Sequence, residues 1–146
     1  MAIVSCKRVT GSPNIHYYQE AAAATANMFQ PGDLVKLDTS GELVLATAGA
    51  ILGIVQSAAT STDSTYHAVD VLMGDEFSAV WTAEATTETL LNDIADFTFT
   101  TGAQVLTGAG TTDVVVVDFA DPVGTTSGRV IVKVIPAAQQ MGSATE

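Results

Sequence analysis

Residues 34–45 read LVKLDTSGELVL, and this stretch decides the fold. Two short apolar runs flank a turn in which Asp38 can accept a hydrogen bond from the backbone two residues on and Gly41 can take a positive φ. Apolar runs separated in this way are typical of a β-hairpin. The stretch therefore predicts two paired antiparallel strands.

The same succession of short apolar runs and turns continues towards the C-terminus. The further strands predicted from it lie at residues 51–55, 67–73, 77–82, 97–100, 104–106, 114–119 and 129–135. Gly53, inside the first of these runs, indicates a bulge or the close approach of another backbone. Short strands at regular spacing with turn signals between them indicate an all-β fold, a small β-barrel or sandwich.

Residues 86–93 are the one helix candidate in this series. Thr86 or Thr87 can cap the first turn with its side-chain hydroxyl. An apolar patch follows at Leu90, Leu91 and Ile94. The pattern predicts one short helix that plugs or connects the strands.

The pattern divides the chain into an N-terminal arm (1–28), a β-barrel domain (29–136) and a flexible C-terminal tail (137–146). The arm has no apolar stripe at helical spacing, although its alanine run favours helix. We expect it to be extended; a first strand followed by a loop is the alternative. Pro136 ends the last predicted strand, and the residues after it indicate a loose tail.

The candidate partner-binding residues belong to the arm and to its junction with the barrel. An extended arm could place these apolar or aromatic side chains on a neighbouring subunit and add strand pairing to the contact. They are Ile3, Val4, Tyr17, Tyr18, Met28 and Phe29.

Charged residues are scarce, and most of them are acidic. They make up 14% of the chain, whereas about a quarter of a typical soluble domain is charged. We therefore expect much of the surface to be buried against other protein copies. The net charge is −11, and the five basic residues form no cluster. Phosphate binding needs clustered cations, so we expect no nucleic-acid partner, and an anionic membrane would repel the chain.

No set of residues has the spacing of a catalytic or metal site. Cys6 is the only cysteine, which excludes an internal disulfide and indicates a small buried residue. His16 and His67 lie at no metal-type spacing, and a lone strand histidine is usually structural. The acids that could bind calcium fit no calcium loop; they are Asp113, Asp118 and Asp121. We therefore expect no enzyme activity, no cofactor and no metal ion.

The start of the chain lacks the charged-then-apolar order of a signal peptide. No apolar run approaches the length of a membrane span. We expect a protein that is made in the cytoplasm and stays there or leaves inside a larger particle.

The middle of the chain is similar to a known family. The similarity is carried by residues 29–37 (FQPGDLVKL), 41–47 (GELVLAT), 50–55 (AILGIV) and 69–77 (VDVLMGDEF). This order of Gly-Asp, strand, short turn, strand and Gly-Ile-Val resembles the head decoration proteins, or capsid cement proteins, of tailed bacteriophages. The resemblance covers about residues 29–82, and its motifs recur in many barrels.

The resemblance implies a small β-barrel that binds the outer surface of an assembled capsid and stabilises it against the pressure of the DNA inside. It implies two partners, the major capsid protein and further copies of the chain in a homotrimer. It also implies a virion location after synthesis in the host cytoplasm. The family has no catalytic residue to carry over.

Three other classes remain as alternatives. A tail or fibre subunit would also be β-rich and self-assembling. A carbohydrate-binding module would present several exposed aromatic side chains in a line, but aromatic residues are only 6% of this chain. A small hydrolase would need a catalytic motif, and the sequence shows none.

Overall fold

The structure is a computed structural model that describes residues 5–21, 27–61 and 65–140. Within these residues the chain forms short β-strands and one 3₁₀ turn. In chain order the strands are β1 (Cys6–Arg8), β2 (Ile15–Gln19), β3 (Leu34–Leu37), β4 (Leu43–Leu45), β5 (Gly53–Val55), β6 (Tyr66–Val71), β7 (Phe77–Val80), β8 (Ile94–Thr98), β9 (Val105–Ala109), β10 (Val114–Phe119) and β11 (Arg129–Val134). The predicted all-β class is confirmed.

The strands form two antiparallel sheets. The six-stranded sheet has the order β1-β7-β11-β10-β8-β9, and the five-stranded sheet has the order β2-β6-β5-β3-β4. A further bridge joins Trp81, just after β7, to Leu106 of β9. The bridge connects β9, at one end of the six-stranded sheet, with the end of β7, which lies next to the other end. The six-stranded sheet is therefore partly closed, like a barrel.

The predicted hairpin forms between β3 and β4. A carboxylate oxygen of Asp38 accepts hydrogen bonds from the backbone N–H groups of Ser40 and Glu42, at 2.9 and 3.0 Å. Gly41 has a φ of 76°. The turn chemistry expected from the sequence is therefore confirmed.

Apolar side chains pack on both faces of the five-stranded sheet. The larger cluster lies between the two sheets and includes Leu34, Ile54, Phe77, Leu106 and Val132. The smaller cluster lies on the opposite face of the five-stranded sheet, where side chains alternate with those of the first. It includes Phe29, Val35, Leu43, Leu52 and Val69.

The prediction of a helix over residues 86–93 is wrong. Only Glu88–Leu90 form a 3₁₀ turn, and the preceding Thr87 makes no side-chain capping bond. Leu90 is buried, but Leu91 and Ile94 are exposed, and Ile94 begins β8. The apolar side chains therefore do not share one buried face, and a longer helix would have nothing to pack against.

The prediction of an extended arm over residues 1–28 is wrong for those of its residues that the structure describes. Strand β1 pairs with β7 and β2 pairs with β6, so these residues supply an edge strand to each sheet. Residues 1–4 and 22–26 lie outside the described residues. The β domain therefore begins at Cys6 and not at residue 29, because backbone hydrogen bonds hold both short strands in place.

The loose tail expected from residue 137 is also wrong as far as residue 140. Ala138 is buried, and its carbonyl accepts a hydrogen bond from the N–H of Ile51 at 2.8 Å. The side chain of Gln140 accepts from the N–H of Leu37 and donates to its carbonyl. These bonds hold the segment against the five-stranded sheet; residues 141–146 lie outside the described part of the chain.

Candidate protein-binding surface

Strand β1 leaves one backbone edge unpaired by any strand. It is the outermost strand of the six-stranded sheet, with Lys7 opposite Ser78 of β7. The N–H of Cys6 points away from β7, since it donates to the carbonyl of Gly32 at 3.0 Å. Along a strand, the backbone N–H and C=O groups of every second residue point to the same side. The backbone groups of Arg8 therefore also point away from β7, towards the five-stranded sheet.

Arg8 joins the two sheets through a buried ion pair. Its Nη2 lies 2.6 Å from Asp70 Oδ1 and its Nε lies 2.8 Å from Asp70 Oδ2. The two side chains are only 9% and 7% exposed. Arg8 Nη1 also contacts Asp75 at 2.5 Å, at a more exposed position. This bidentate geometry is the strong form of an arginine–carboxylate contact, and it fixes β1 above β6.

The electrostatics of this pair keep both groups charged. Burial alone would raise the pKa of Asp70, but hydrogen bonds from Arg8 and Asn14 and the charge of Arg8 outweigh burial and lower that pKa. The hydrogen bond to Asp70 raises the pKa of Arg8 above its ordinary value. The contact is therefore an ion pair at neutral pH.

A cleft of about 540 Å³ opens beside the free edge of β1. Its walls include Val9, Pro13, Pro31, Ile54, Gln56 and Asp70. Lys7 and Arg8 also line the cleft, and Lys7 is exposed. The lining is mainly apolar with a few polar groups, which is the usual character of a binding pocket.

The five-stranded sheet continues beyond this cleft without cover from the six-stranded sheet. Asp70 reaches Arg8, so Tyr66, Ala68 and Asp70 alternate onto the face directed at the other sheet. Tyr17 lies directly opposite Ala68 and shares that face. Tyr17 and Tyr66 are diagonal neighbours and are 67% and 63% exposed. We call Tyr17, Tyr66 and Ala68 the tyrosine face.

The structure separates the six candidate partner-binding residues. Tyr17 is on the tyrosine face, but Tyr18 points to the opposite side and packs against the smaller apolar cluster, as does Met28. Phe29 is completely buried, so its assignment to partner binding is wrong; it is a core residue. Ile3 and Val4 lie outside the described residues.

Sequence reasoning missed Tyr66, Arg8 and Asp70. The strand predicted over residues 67–73 leaves Tyr66 out, and the pattern Tyr66, Ala68, Asp70 was the available signal that one strand face is not apolar. No local pattern could pair Arg8 with Asp70, because the two residues are 62 positions apart.

His67 is buried at the centre of a hydrogen-bond chain. Its Nε2 lies 2.8 Å from Glu20 Oε1, and its Nδ1 lies 2.6 Å from Ser57 Oγ. Glu20 also accepts from the N–H and the hydroxyl of Thr60, at 2.9 and 2.8 Å. Burial alone would raise the pKa of Glu20, but the bonds from His67 and Thr60 outweigh burial and lower that pKa.

Cys6 is buried, as its residue type predicts, and burial raises the pKa of its thiol. Among the described residues, no three His, Cys, Asp or Glu side chains lie together in a way that could hold a metal ion. The described residues also include no helix long and apolar enough to cross a membrane. No protein-family model matches the chain, and no curated protein matches it significantly.

Proposed function

We propose that this protein is a structural virion protein that binds the outer surface of an assembled phage capsid and stabilises it. The observation that carries the proposal is the tyrosine face, with two exposed aromatic side chains, Tyr17 and Tyr66. Exposed aromatic side chains beside one another suit binding to another protein chain. Binding to a capsid needs no chemical reaction.

The composition supports the same role. A chain with 14% charged residues has few groups with which to form ion pairs to a partner. Contact through Tyr17 and Tyr66 would depend on apolar burial and on hydrogen bonds from the tyrosine hydroxyls. Such contacts are weakened by salt much less than contacts between exposed charges. The proposed partners are the major capsid protein and further copies of this chain in a trimer.

The experiment is cosedimentation with empty capsids of the phage that carries the gene. The test variant is Tyr17→Ser combined with Tyr66→Ser. The matched control is Val123→Ser, because Val123 is exposed and apolar but lies outside the tyrosine face and the β1 cleft. We expect binding by the wild type and the control and about tenfold or greater weakening in the double variant. Absence of wild-type binding would reject the proposed function.

A carbohydrate-binding module is the second candidate, because Tyr17 and Tyr66 are neighbouring exposed rings on one sheet. Aromatic side chains on a flat surface are how such modules bind sugars. Titration with soluble oligosaccharides, followed by tyrosine fluorescence, separates the two candidates. Saturable sugar binding that is lost in the double tyrosine variant would favour this second function over capsid binding.

A further inference from the structure

Ser57, His67 and Glu20 form a continuous hydrogen-bond array outside the tyrosine face. His67 lies in β6, Glu20 follows β2, and Ser57 follows β5. Glu20 and His67 are almost completely buried, whereas Ser57 is partly exposed. Residues from three separate segments of the chain thus meet at one point, with the hydroxyl at the end nearest solvent.

The direction of each proton in this array follows from the chemistry of its groups. Glu20 is ionised at neutral pH and can only accept hydrogen bonds, so Nε2 of His67 carries a proton and donates to it. In a neutral imidazole the other nitrogen is then an acceptor. When the imidazole is neutral, the hydroxyl of Ser57 therefore donates its proton to Nδ1 across the 2.6 Å contact.

The surroundings hold this arrangement in place. Two bonds from Thr60 fix the carboxylate of Glu20. The ring of Phe29 packs edge-on against His67, with 5.1 Å between the ring centroids. Within the described residues, the backbone N–H groups of Ser57 and Ala58 donate no hydrogen bond.

We propose that Ser57 is an activated nucleophile that accepts an acyl group from an activated ester, with His67 as the general base and Glu20 as the positioning residue. A serine hydroxyl bonded to an imidazole that a carboxylate orients is the usual arrangement for nucleophilic acyl transfer. Here Nδ1 faces the serine and Nε2 faces the carboxylate. The proposal is independent of the proposed function, because capsid binding needs no reaction.

The step balances without any oxidant, reductant or metal. Ser57 Oγ bonds to the carbonyl carbon of an aryl ester while its proton passes to His67 Nδ1. The bond from that carbon to the aryl oxygen then breaks, and the leaving phenolate takes the proton from the imidazolium. Ser57 is left as an ester and His67 returns to its neutral form. Water can later hydrolyse the ester.

The experiment uses p-nitrophenyl acetate on the full chain, followed by peptide mapping of the acetylated positions by mass spectrometry. Ser12, in an exposed loop, is the internal reference. We expect acetylation of Ser57 about 100-fold faster than acetylation of Ser12. The Ser57→Ala variant should lose this fast phase, and Ser12→Ala should keep it. Acetylation of Ser57 no faster than that of Ser12 would overturn the proposal.

Two further measurements separate activation from mere exposure. His67→Gln should slow acetylation of Ser57, because the amide that replaces the imidazole cannot take up the serine proton. Glu20→Gln keeps the size of the side chain but removes its charge, and should slow acetylation of Ser57 while the variant stays folded by circular dichroism. A rate at Ser57 that is independent of both His67 and Glu20 would contradict the assigned roles.

Discussion

At the residue scale, Gly53 shows how a missing side chain sets the distance between two strands. A Cβ atom at this position would lie 2.2 Å from the backbone oxygen of Asp70. Asp70 is the partner of Arg8, so the close approach of β5 and β6 also positions the buried ion pair. The sequence predicted a bulge or a close backbone approach at Gly53, and the structure shows the close approach.

Replacing Gly53 by alanine should therefore destabilise the fold strongly. We expect Gly53→Ala to lower the free energy of unfolding by about 3 kcal/mol, because backbone atoms must move apart. Gly49→Ala is the control, since no atom lies within 4 Å of its added Cβ and only the positive φ of 77° is strained. That control should cost about 1–2 kcal/mol. Urea denaturation measures both; equal losses would show that the approach to Asp70 is not limiting.

The Arg8–Asp70 pair predicts a specific loss of stability in acid. The pKa of Asp70 is lower in the folded chain than its usual value of about 3.9. Its contribution is therefore fully present above about pH 4 and is lost as the pH falls through the folded pKa. Asp70→Asn should cost about 3 kcal/mol at neutral pH, and the difference from the wild type should shrink in acid.

The control for this prediction is Asp75→Asn, which removes the more exposed partner of the same arginine. The side chain of Asp75 is 37% exposed, and exposed pairs contribute only about 0–1 kcal/mol. Its urea-denaturation midpoint should stay close to that of the wild type. A loss equal to that of Asp70→Asn would mean that burial does not determine the strength of the pair.

At the element scale, hairpins could be predicted from the sequence but the two N-terminal strands could not. The residues from Asp38 to Gly41 favour a tight turn by themselves, so the hairpin of β3 and β4 can be predicted from the local sequence. Strand β2 reads IHYYQ and shows no buried alternation, because it is an edge strand with three exposed residues. Its place depends on ladder bonds to β6, about 50 residues away. Pairing with a distant strand produces no recognisable pattern in the sequence of a short segment.

Removing the first 28 residues should therefore unfold the domain and not release an independent barrel. The truncation deletes Arg8 and Glu20, so Asp70 loses its ion-pair partner and His67 loses the carboxylate bonded to its Nε2. A buried charge without its partner costs about 3–5 kcal/mol, which is a large part of the total stability of a small domain. Loss of the cooperative transition in thermal circular dichroism is the expected result.

The control is the full chain carrying Lys7→Ala, an exposed change in the same segment, which should unfold normally. A truncated chain that unfolds as cooperatively as the full chain would contradict the role of β1 and β2.

The candidate site was less predictable than the fold. Tyr17 was assigned to partner binding from its residue type, and the structure leaves it exposed. Phe29 was assigned by the same reasoning, yet it fills the smaller cluster because the chain folds back over the outer face of the five-stranded sheet. The array at His67 joins residues that are up to 47 positions apart, so no motif could have shown it.

At the scale of the whole molecule, we predict that copies of the chain associate with one another. The low content of charged residues and the tyrosine face favour a homo-oligomer, and a closed ring is the usual solution for one repeated chain. Multi-angle light scattering should give the mass of a trimer, either in solution or after release from capsids. A monomer under both conditions would contradict this prediction without affecting the fold.

The most direct test of the proposed function is a heat challenge of DNA-filled capsids with and without this protein, at low and high salt. A ligand that binds only the assembled shell stabilises it, by about 2.7 kcal/mol per site at a hundredfold excess over its dissociation constant. We predict that decorated capsids retain DNA at temperatures at which bare capsids release it, and that high salt preserves most of the effect. Equal DNA release from decorated and bare capsids would contradict the stabilising role. Protection that disappears at high salt would contradict contact through the tyrosine face.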